Sequence, residues 1–355
     1  MEESLHKLTA VDLEEKQVLL SFLLPVYNVR DYLEDCIQSI VQQDLEGIEY
    51  EIICIDDNST DGSYESLLGI ANKNKYITVL KNAENKGVSY TRNRLIRAAK
   101  GKYIWFIDPD DMLFKNVAKS FLYKAEEVNA DILLGNYIRV DETKKGNADY
   151  VTDWDMLETY PERKELYLPI DQNGKAMCTV CGGLFLRSFL LENNLWMNEK
   201  MIAQEDTLFY YEFSLKTKNI YKWEVPCYLY RQRKSSVMNT HSEERNKKYY
   251  MSMYYLWKAY KHFLEEGNIA HDTTLIYKVT RMEENVALCL AILKDDDFIK
   301  KEIKRLKNEE LYIYVAAKRG LKKEGPCILR KTAWLLSRKN IFWLYHFLTT
   351  RKNKN

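Results

Sequence analysis

Residues Tyr103–Asp111 read Tyr-Ile-Trp-Phe-Ile-Asp-Pro-Asp-Asp, which is five apolar residues followed by three carboxylates within four positions. A short, continuous apolar run of this kind is typical of a β-strand that is buried on both faces. Pro109 has no N–H to donate to a neighbouring strand, so we expect the strand to end before it. The stretch therefore predicts a buried strand with a crowded acidic turn at its carboxyl end.

The sequence on either side alternates strand patterns with helix patterns. Strands are predicted at residues 18–26, 50–55, 77–80, 103–107 and 131–137, and helices at 32–42, 64–72, 89–99 and 115–128, with Gly101 as a C-terminal cap. Residues 182–193 predict a strand leading into a short helix, and the later patterns are helical, at 247–264, 276–293, 298–317 and 327–348. This order predicts an α/β fold with a mostly parallel sheet, followed by an α-helical C-terminal region.

Composition and charge narrow the class of protein. The chain has 355 residues, of which 46% are hydrophobic and 30% charged, as in a globular protein of about two domains. A formal net charge of +1 argues against a nucleic-acid partner. The N-terminus lacks the apolar core of a signal peptide, and no apolar run reaches the ~18 residues that span a bilayer. The seven cysteines are odd in number, which argues against a framework of disulfide bonds. We therefore expect a cytoplasmic protein, either free or peripheral on the inner face of the cytoplasmic membrane.

The end of the chain is strongly basic. Residues 318–355 contain eleven Lys and Arg and a single acid, Glu324, and aromatic residues from Trp334 to Phe347 lie among them. A basic, aromatic-rich helix suits the interface of an anionic membrane, and residues 327–355 are the predicted contact. The alternative is a terminal helix that packs its aromatic residues on its own domain, and the sequence leaves both open.

The loops after the predicted strands are rich in polar residues. In an open parallel sheet, ligands bind in the loops at the carboxyl ends of the strands. These loops are Pro25–Asn28, Asp56–Gly62, Asn82–Gly87 and Asp108–Asp111. The carboxylates of the last loop repel one another, which favours a hard divalent cation such as Mg²⁺ or Mn²⁺ among them. The alternative is that they cap the helix that follows.

Two common phosphate-binding signatures are missing from the sequence. No G-x-G-x-x-G follows the first strand, and no G-x-x-x-x-G-K-[ST] occurs. Their absence argues against NAD binding and against phosphoryl transfer of the P-loop type.

Taken together, the motifs resemble those of the family 2 glycosyltransferases. The matching stretches, in family order and spacing, are Leu23–Asn28, Glu51–Asp61, Asn85–Asn93 and Gly101–Asp111. Further on, Gln204–Phe209 is similar to the family's Glu-Asp motif. Tyr230-Arg231 with Ser235-Ser236 is similar to the segment that closes the family's catalytic domain. The resemblance implies a GT-A fold over residues 18–240, with a nucleotide-binding half (18–140) and an acceptor half (141–240). Residues 1–17 would then be an extension, and 241–355 a helical region.

The resemblance also implies roles for individual residues. The nucleotide-sugar-binding residues would be Pro25, Tyr27, Asp57, Arg92, Asp108 and Asp110. Asp57 would accept a hydrogen bond from a pyrimidine N–H, which favours a UDP-sugar. Asp110 would hold Mn²⁺ or Mg²⁺, with Asp108 and Asp111 as further candidate ligands. Asp206 would be the catalytic base, although Glu205-Asp206 also fits a helix N-terminus.

The implied activity is metal-dependent, inverting transfer of a sugar, of hexosyl or N-acetylhexosaminyl type. The acceptor would be a hydroxyl of a glycan or lipid-linked saccharide in cell-surface polysaccharide synthesis. Two alternatives stay open at this point. One is a catalytically degenerate relative that binds nucleotide sugar as an assembly partner, and the other is a sugar-1-phosphate nucleotidyltransferase.

Overall fold

The computed structural model of the protein describes residues 17–141, 162–165, 180–217, 219–232, 242–266, 282 and 285–308. Two compact units are present among them. The first comprises the described residues up to Met197 and from Phe209 to Gln232, and the second comprises Asn198–Leu208 and the described residues from 242 onward. The predicted domain limits, 18–240 and 241–355, stay predictions, because residues 233–241 lie outside the described ones.

The first unit contains one β-sheet with nine described strands. They are β1 (Leu20–Val26), β2 (Tyr50–Asp56), β3 (Ile77–Lys81), β4 (Tyr103–Phe106), β5 (Met112–Leu113), β6 (Ile132–Asp141), β7 (Glu162–Glu165), β8 (Gly183–Leu186) and β9 (Ile220–Gln232). Their spatial order is β3-β2-β1-β4-β8-β6-β9-β5, and β7 also pairs with β9.

The direction of the strands brings most of their carboxyl ends to one edge. Strands β1 to β4 are parallel to one another, which confirms the predicted, mostly parallel sheet. Strand β8 runs antiparallel to both β4 and β6, and β6 is parallel to β9. Strands β6 and β9 therefore point the same way as β1, β2 and β4, and the loops after all of them lie at the same edge of the sheet.

The helices agree closely with the sequence patterns. They are α1 (Arg30–Val41), α2 (Ser63–Ala71), α3 (Val88–Ala98), α4 (Ala118–Glu127), α5 (Arg187–Glu192), α6 (Glu205–Lys216), α7 (Glu243–Glu266), α8, of which residues 285–291 are described, and α9 (Asp296–Asn308). The predicted limits of α1 to α4 are right to within three residues. Helix α4 begins late because the Gln43 side chain, just after α1, accepts the N–H groups of Val117 and Ala118 at 2.8 and 3.1 Å.

Strand β9 was missed by the sequence analysis, as were the short strands β5 and β7. Pro226 in its middle argues against a strand, because proline removes a ladder hydrogen bond. The structure accommodates this residue at an irregularity: the pairing of β6 with β9 shifts register on both sides of Asn136, which lies opposite Pro226. The result is a 13-residue strand that reaches the same edge as β1 and β2.

Trp105 of β4 is the centre of the core behind that edge. Its ring stacks on Phe22 at 6.3 Å between centroids and contacts Phe121 at 5.3 Å. The indole N–H donates to the backbone oxygen of Cys181 at 2.9 Å, so the buried ring leaves no polar atom without a partner. This packing fixes the strand whose end forms the acidic turn.

Gly101 does not have the predicted role of helix cap. Helix α3 ends at Ala98, and the next residue, Ala99, already has extended backbone. A Cβ at Gly101 would lie 2.6 Å from the backbone nitrogen and the Oγ of Ser21. The glycine is therefore required by close packing against β1 rather than by helix termination.

The second unit is helical in its described residues. Between α7 and α9, the Tyr250 hydroxyl donates to the buried Glu302 carboxylate at 3.0 Å, and Arg305 pairs with the same carboxylate. The predicted helix at 247–264 is present, and the predicted helix at 298–317 is present as far as Asn308. Residues 309–317, the predicted helix at 327–348 and the predicted membrane contact at 327–355 lie outside the described residues. No helix in the described ranges combines the length and apolarity that crossing a bilayer requires.

Gly183 gives a test of the sheet packing. A Cβ there would overlap the backbone oxygen of Leu133 on the paired strand β6. Because backbone can yield little, Gly183→Ala should lower the free energy of unfolding by about 1–3 kcal/mol, measured by urea denaturation. Gly69→Ala is the matched control: its Cβ meets nothing within 4 Å in α2, so alanine should stabilise the protein by roughly 0.5–1 kcal/mol. Equal stability of the two variants would contradict the described β6–β8 pairing.

Candidate active site at the carboxyl edge of the sheet

Strand β1 ends at Val26, as predicted, and the loop after it begins at Tyr27. Pro25 is not in the loop but is a buried residue of β1, paired with Ile55 of β2. The pairing of β1 with β4 ends at Leu23, so the missing N–H of Pro25 faces no ladder partner on that side. Tyr27 is the first residue beyond the strand, and 43% of it is exposed. Its ring is available as a stacking surface, whereas Pro25 supports the loop from within the sheet.

The loops after β1 and β2 are tied together by side chains. The Asn28 N–H donates to Ser59 Oγ at 3.0 Å, and Asn28 Oδ1 accepts the Thr60 N–H at 2.8 Å. Asn28 adopts a positive φ of 52°, which places it in the left-handed region. Asp61 accepts the Arg30 N–H at 3.0 Å and so joins the second loop to the start of α1. The edge beside Tyr27 is therefore built before any ligand binds.

Asp57 connects the end of β2 to the loop before α3. Its Oδ1 accepts Asn82 Nδ2 at 2.6 Å and the Lys86 N–H at 2.9 Å, and its Oδ2 accepts the Gly87 N–H at 2.7 Å. A carboxylate offers about four acceptor positions, so three of them are already used. The predicted contact with a pyrimidine N–H needs the remaining one and stays a prediction.

Asp108 is the first residue of the acidic turn, Asp108–Asp111. Arg92 of α3 is buried and donates from Nη2 to Asp108 Oδ1 at 2.7 Å. The Asp108 side chain is 29% exposed, so one side of the pair faces the surface. The Asp108 N–H also donates to Tyr228 Oη at 3.0 Å. Arg92 and Asp108, which the resemblance implies for the phosphate and the ribose, are thus brought together as an ion pair.

Asp111 is held inside the protein at the other end of the turn. Its Oδ1 accepts the Arg231 N–H at 2.7 Å, and its own N–H donates to the Asp108 oxygen at 2.9 Å. Burial, reinforced by the neighbouring Asp110 and Asp108 charges, raises the pKa of Asp111 well above its usual range. Asp111 is therefore a structural member of the turn. Asp110, half-buried, is the carboxylate that lies at the surface beside Asp108.

Arg231 is a site residue for which the sequence analysis gave no role. It is buried, and its Nη2 donates to Asp35 Oδ2 of α1 at 3.2 Å. Its guanidinium also lies 5.1 Å from the ring centroid of Tyr32. Arg231 thereby joins β9 to α1 behind the turn, across 196 positions of sequence. The stretch Tyr228-Leu-Tyr-Arg231 could have indicated a strand that carries this arginine, but it does not indicate which residue the arginine contacts.

Asp206 is the second residue of α6 and belongs to the second unit. Its Oδ1 accepts the Thr207 N–H at 2.8 Å, and Thr207 Oγ1 donates to Gln204 Oε1 at 3.0 Å. Gln204, directly before the helix, has a positive φ of 61°. The alternative interpretation, that Glu205-Asp206 opens a helix, is therefore correct as structure. The role of Asp206 as a base is not tested by it and stays a prediction.

The acidic turn does not form a metal cage with the other described residues. Among the described residues, no group of three or more His, Cys, Asp and Glu side chains is arranged to hold a metal ion. Mg²⁺ is usually bound by one or two carboxylates together with substrate phosphates, and it keeps several waters. Asp110, with Asp108 as the second candidate, therefore stays a predicted ligand set of this smaller kind.

Comparison with known proteins places this geometry in a family. The family model for glycosyl transferase family 2 matches residues 21–193. Glycosyltransferase GlyG of Streptococcus pneumoniae is 30% identical over 62% of this chain and 73% of its own length. The poly(ribitol-phosphate) beta-glucosyltransferase of Bacillus spizizenii is 32% identical over 57% of this chain, but the match covers only 30% of that protein.

Solved structures support the same assignment at the level of fold. The crystal structure of S. aureus TarS 1-349 has a TM-score of 0.61 at 18% identity, covering 95% of this chain and 91% of that one. The same fragment in complex with UDP-GlcNAc has a TM-score of 0.57 at 18% identity, covering 95% and 92%. The α/β fold, GT-A-like with a helical C-terminal part, is confirmed. From its motifs, its fold and the relative matched over 73% of that protein's length, the chain belongs to glycosyl transferase family 2.

Proposed function

We propose that the protein transfers a hexosyl or N-acetylhexosaminyl group, with inversion, from a UDP-sugar to a hydroxyl of a glycan or lipid-linked saccharide in cell-surface polysaccharide synthesis. The observation that carries the proposal is the acidic turn, with one buried and two partly exposed carboxylates at the edge that Tyr27 and Asp57 share. The names of its relatives support it, since one is a poly(ribitol-phosphate) beta-glucosyltransferase and another was crystallised with UDP-GlcNAc.

The nucleotide would lie across the ends of β1 and β2. The exposed ring of Tyr27 would stack on the base, and the remaining acceptor position of Asp57 would take the pyrimidine N–H. Arg92 lies behind Asp108, so it would act on the nucleotide through that carboxylate and through its positive charge near the diphosphate. The loops are tied to one another, so binding would require little ordering of the chain.

The acidic turn would hold Mn²⁺ or Mg²⁺ through Asp110, with Asp108 as the second candidate ligand. When bound, the cation acts as a Lewis acid on the departing diphosphate. The buried Asp111 would contribute by fixing the turn rather than by ligation, because its Oδ1 is engaged by Arg231. Asp206 would take the proton of the acceptor hydroxyl as that hydroxyl attacks the sugar, a step worth typically ~10²–10⁴-fold.

One alternative remains in view. Because the chain belongs to glycosyl transferase family 2, the nucleotidyltransferase hypothesis is set aside. A degenerate assembly partner would bind the donor without turnover. Measuring UDP release from UDP-GlcNAc and UDP-glucose, with and without Mn²⁺, separates this case from an active enzyme: an active enzyme hydrolyses at least one donor slowly when no acceptor is present.

The first prediction at this site concerns the cation. Asp110→Asn keeps the volume of the side chain but removes its charge. Mn²⁺ should tighten UDP binding to the wild-type protein by about tenfold in Kd, or 1.4 kcal/mol, and the variant should lose this gain. Isothermal titration of UDP with Mn²⁺ and with EDTA measures it. Asp297→Asn, whose side chain is 96% exposed in α9, is the control. A full Mn²⁺ effect in the Asp110 variant would rule out this ligand.

A second prediction concerns the base. Asp206→Asn should reduce kcat by roughly 10²-fold or more and leave the UDP-sugar affinity nearly unchanged, because the lost interaction is made in the transition state. Turnover is followed by UDP release and donor affinity by thermal shift. Glu205→Gln, one position earlier in α6, is the matched comparison. Parallel losses of donor affinity and kcat in the Asp206 variant would assign this residue a structural role.

A third prediction concerns the basic tail. If residues 327–355 contact an anionic membrane, the full-length protein should sediment with phosphatidylglycerol vesicles at low salt. Each basic residue near the surface contributes about 1 kcal/mol, and salt screens the attraction. Replacing Arg330, Lys331, Arg338 and Lys339 by Gln should weaken sedimentation strongly. Failure of the full-length protein to sediment with anionic vesicles at any salt concentration would speak for the packed-helix alternative.

A further inference from the structure

Tyr137 in the middle of β6 and Tyr230 near the end of β9 form an aromatic pair that is half-buried at Tyr137 and exposed at Tyr230. Tyr137 and Tyr230 meet edge to face, with 6.1 Å between ring centroids and 64° between ring planes. Tyr230 is 40% exposed, whereas Tyr228, two positions earlier on the same strand, is fully buried. The guanidinium of Arg139 lies 5.9 Å from the Tyr137 ring centroid, and Arg139 is the register partner of Tyr230. A large ring that is held in place by its neighbours is therefore partly open to solvent.

The pair lies directly beside the acidic turn. Tyr230 is adjacent to Arg231, whose N–H donates to Asp111, and Leu229 pairs with Met112, the residue after the turn. Burial raises the pKa of the Tyr230 phenol, and the charges of Asp111, Asp110 and Asp108 raise it further, in that order. The phenol is therefore within electrostatic range of all three carboxylates.

The position of the pair in the sheet separates it from the nucleotide loops. Tyr27 and Asp57 follow β1 and β2, and the acidic turn follows β4, in the middle of the strand order. Strands β6 and β9 lie beyond β8, on the other side of β4 from β1. A donor whose base is near Tyr27 and whose diphosphate is at the turn would leave the β6–β9 side uncovered.

We propose that Tyr230 and Tyr137 form the stacking surface for the acceptor saccharide, with Arg139 at its rim; this rests on the proposed function. A pyranose ring has an apolar C–H face and a polar edge, and a tyrosine offers an apolar ring with a polar end. The ring face packs on Tyr230, while the phenol and the Arg139 guanidinium meet the hydroxyl edge. The surface thus selects a cyclic sugar as acceptor and holds it next to the carboxylates that bind the donor diphosphate.

The test uses ligand-observed saturation-transfer NMR on the full-length protein with saturating UDP and Mn²⁺. The probes are methyl β-D-glucopyranoside, methyl β-D-galactopyranoside and the methyl β-glycoside of N-acetylglucosamine. At least one should bind the wild-type protein, with the strongest saturation on the C–H groups of one ring face. Tyr230→Ala should weaken its binding roughly three- to tenfold, Tyr137→Ala less, and Tyr230→Phe about twofold at most.

Two controls make the outcome decisive. Tyr123→Ala removes another exposed tyrosine, on α4, and should leave glycoside binding unchanged. The affinities of UDP and UDP-GlcNAc are measured on the same samples. Glycoside binding that is equal in the wild-type protein and Tyr230→Ala, or absent from both, would overturn the inference. If both proteins still bind UDP, that result leaves the proposed function in place. A loss of UDP-GlcNAc affinity with UDP unchanged would assign the pair to the donor sugar and also overturn it. A wild-type protein that fails to bind UDP would overturn the proposed function itself.

Discussion

Three carboxylates within four residues repel one another, and the first unit is organised around the means of keeping them together. The surroundings of the three carboxylates differ. Asp108 is neutralised by the buried Arg92, and Asp111 is withdrawn from solvent and fixed by the Arg231 N–H. Asp110 is half-buried and reaches the surface, and the proposed function makes it the first candidate ligand for a divalent cation. Helix α3 supplies the arginine and β9 the backbone donor, so two distant parts of the chain must be in place for the turn to form.

The same edge is also rigid on its nucleotide side. Asp57 joins β2 to the loop before α3, and Asn28 joins the first two loops. Both residues form hydrogen bonds with the backbone and side chains of neighbouring loops, so the loops keep their positions without a ligand. Preorganisation of this kind reduces the entropy lost on binding. It also explains why short polar residues recur at fixed places after each strand: they act as connectors between loops as well as contacts for a substrate.

The sequence predicted the parts of the fold that depend on local pattern. The apolar runs of β1 to β4 and the periodicity of α1 to α4 are strong signals, and the acidic turn was located because charge crowding is visible in one dimension. The differences arise where distant residues decide. Arg231 meets Asp35 across the whole domain, Gly101 is required by contact with Ser21, and Pro226 lies in a strand at an irregular pairing. Nor could charge alone reveal that Asp111, and not Asp110, would be buried.

Strand β9 contacts the acidic turn through its backbone and helix α1 through a side chain. Its contact with Asp111 comes from a peptide N–H, which every residue except proline supplies, and the tie to α1 comes from the Arg231 side chain. The side chain of Tyr230 takes part in neither contact and is 40% exposed. Evolution can therefore exchange that residue in a single step without loosening the carboxylates. The chemical character of the exposed surface beside the acidic turn can thus vary independently of the contacts that hold the carboxylates.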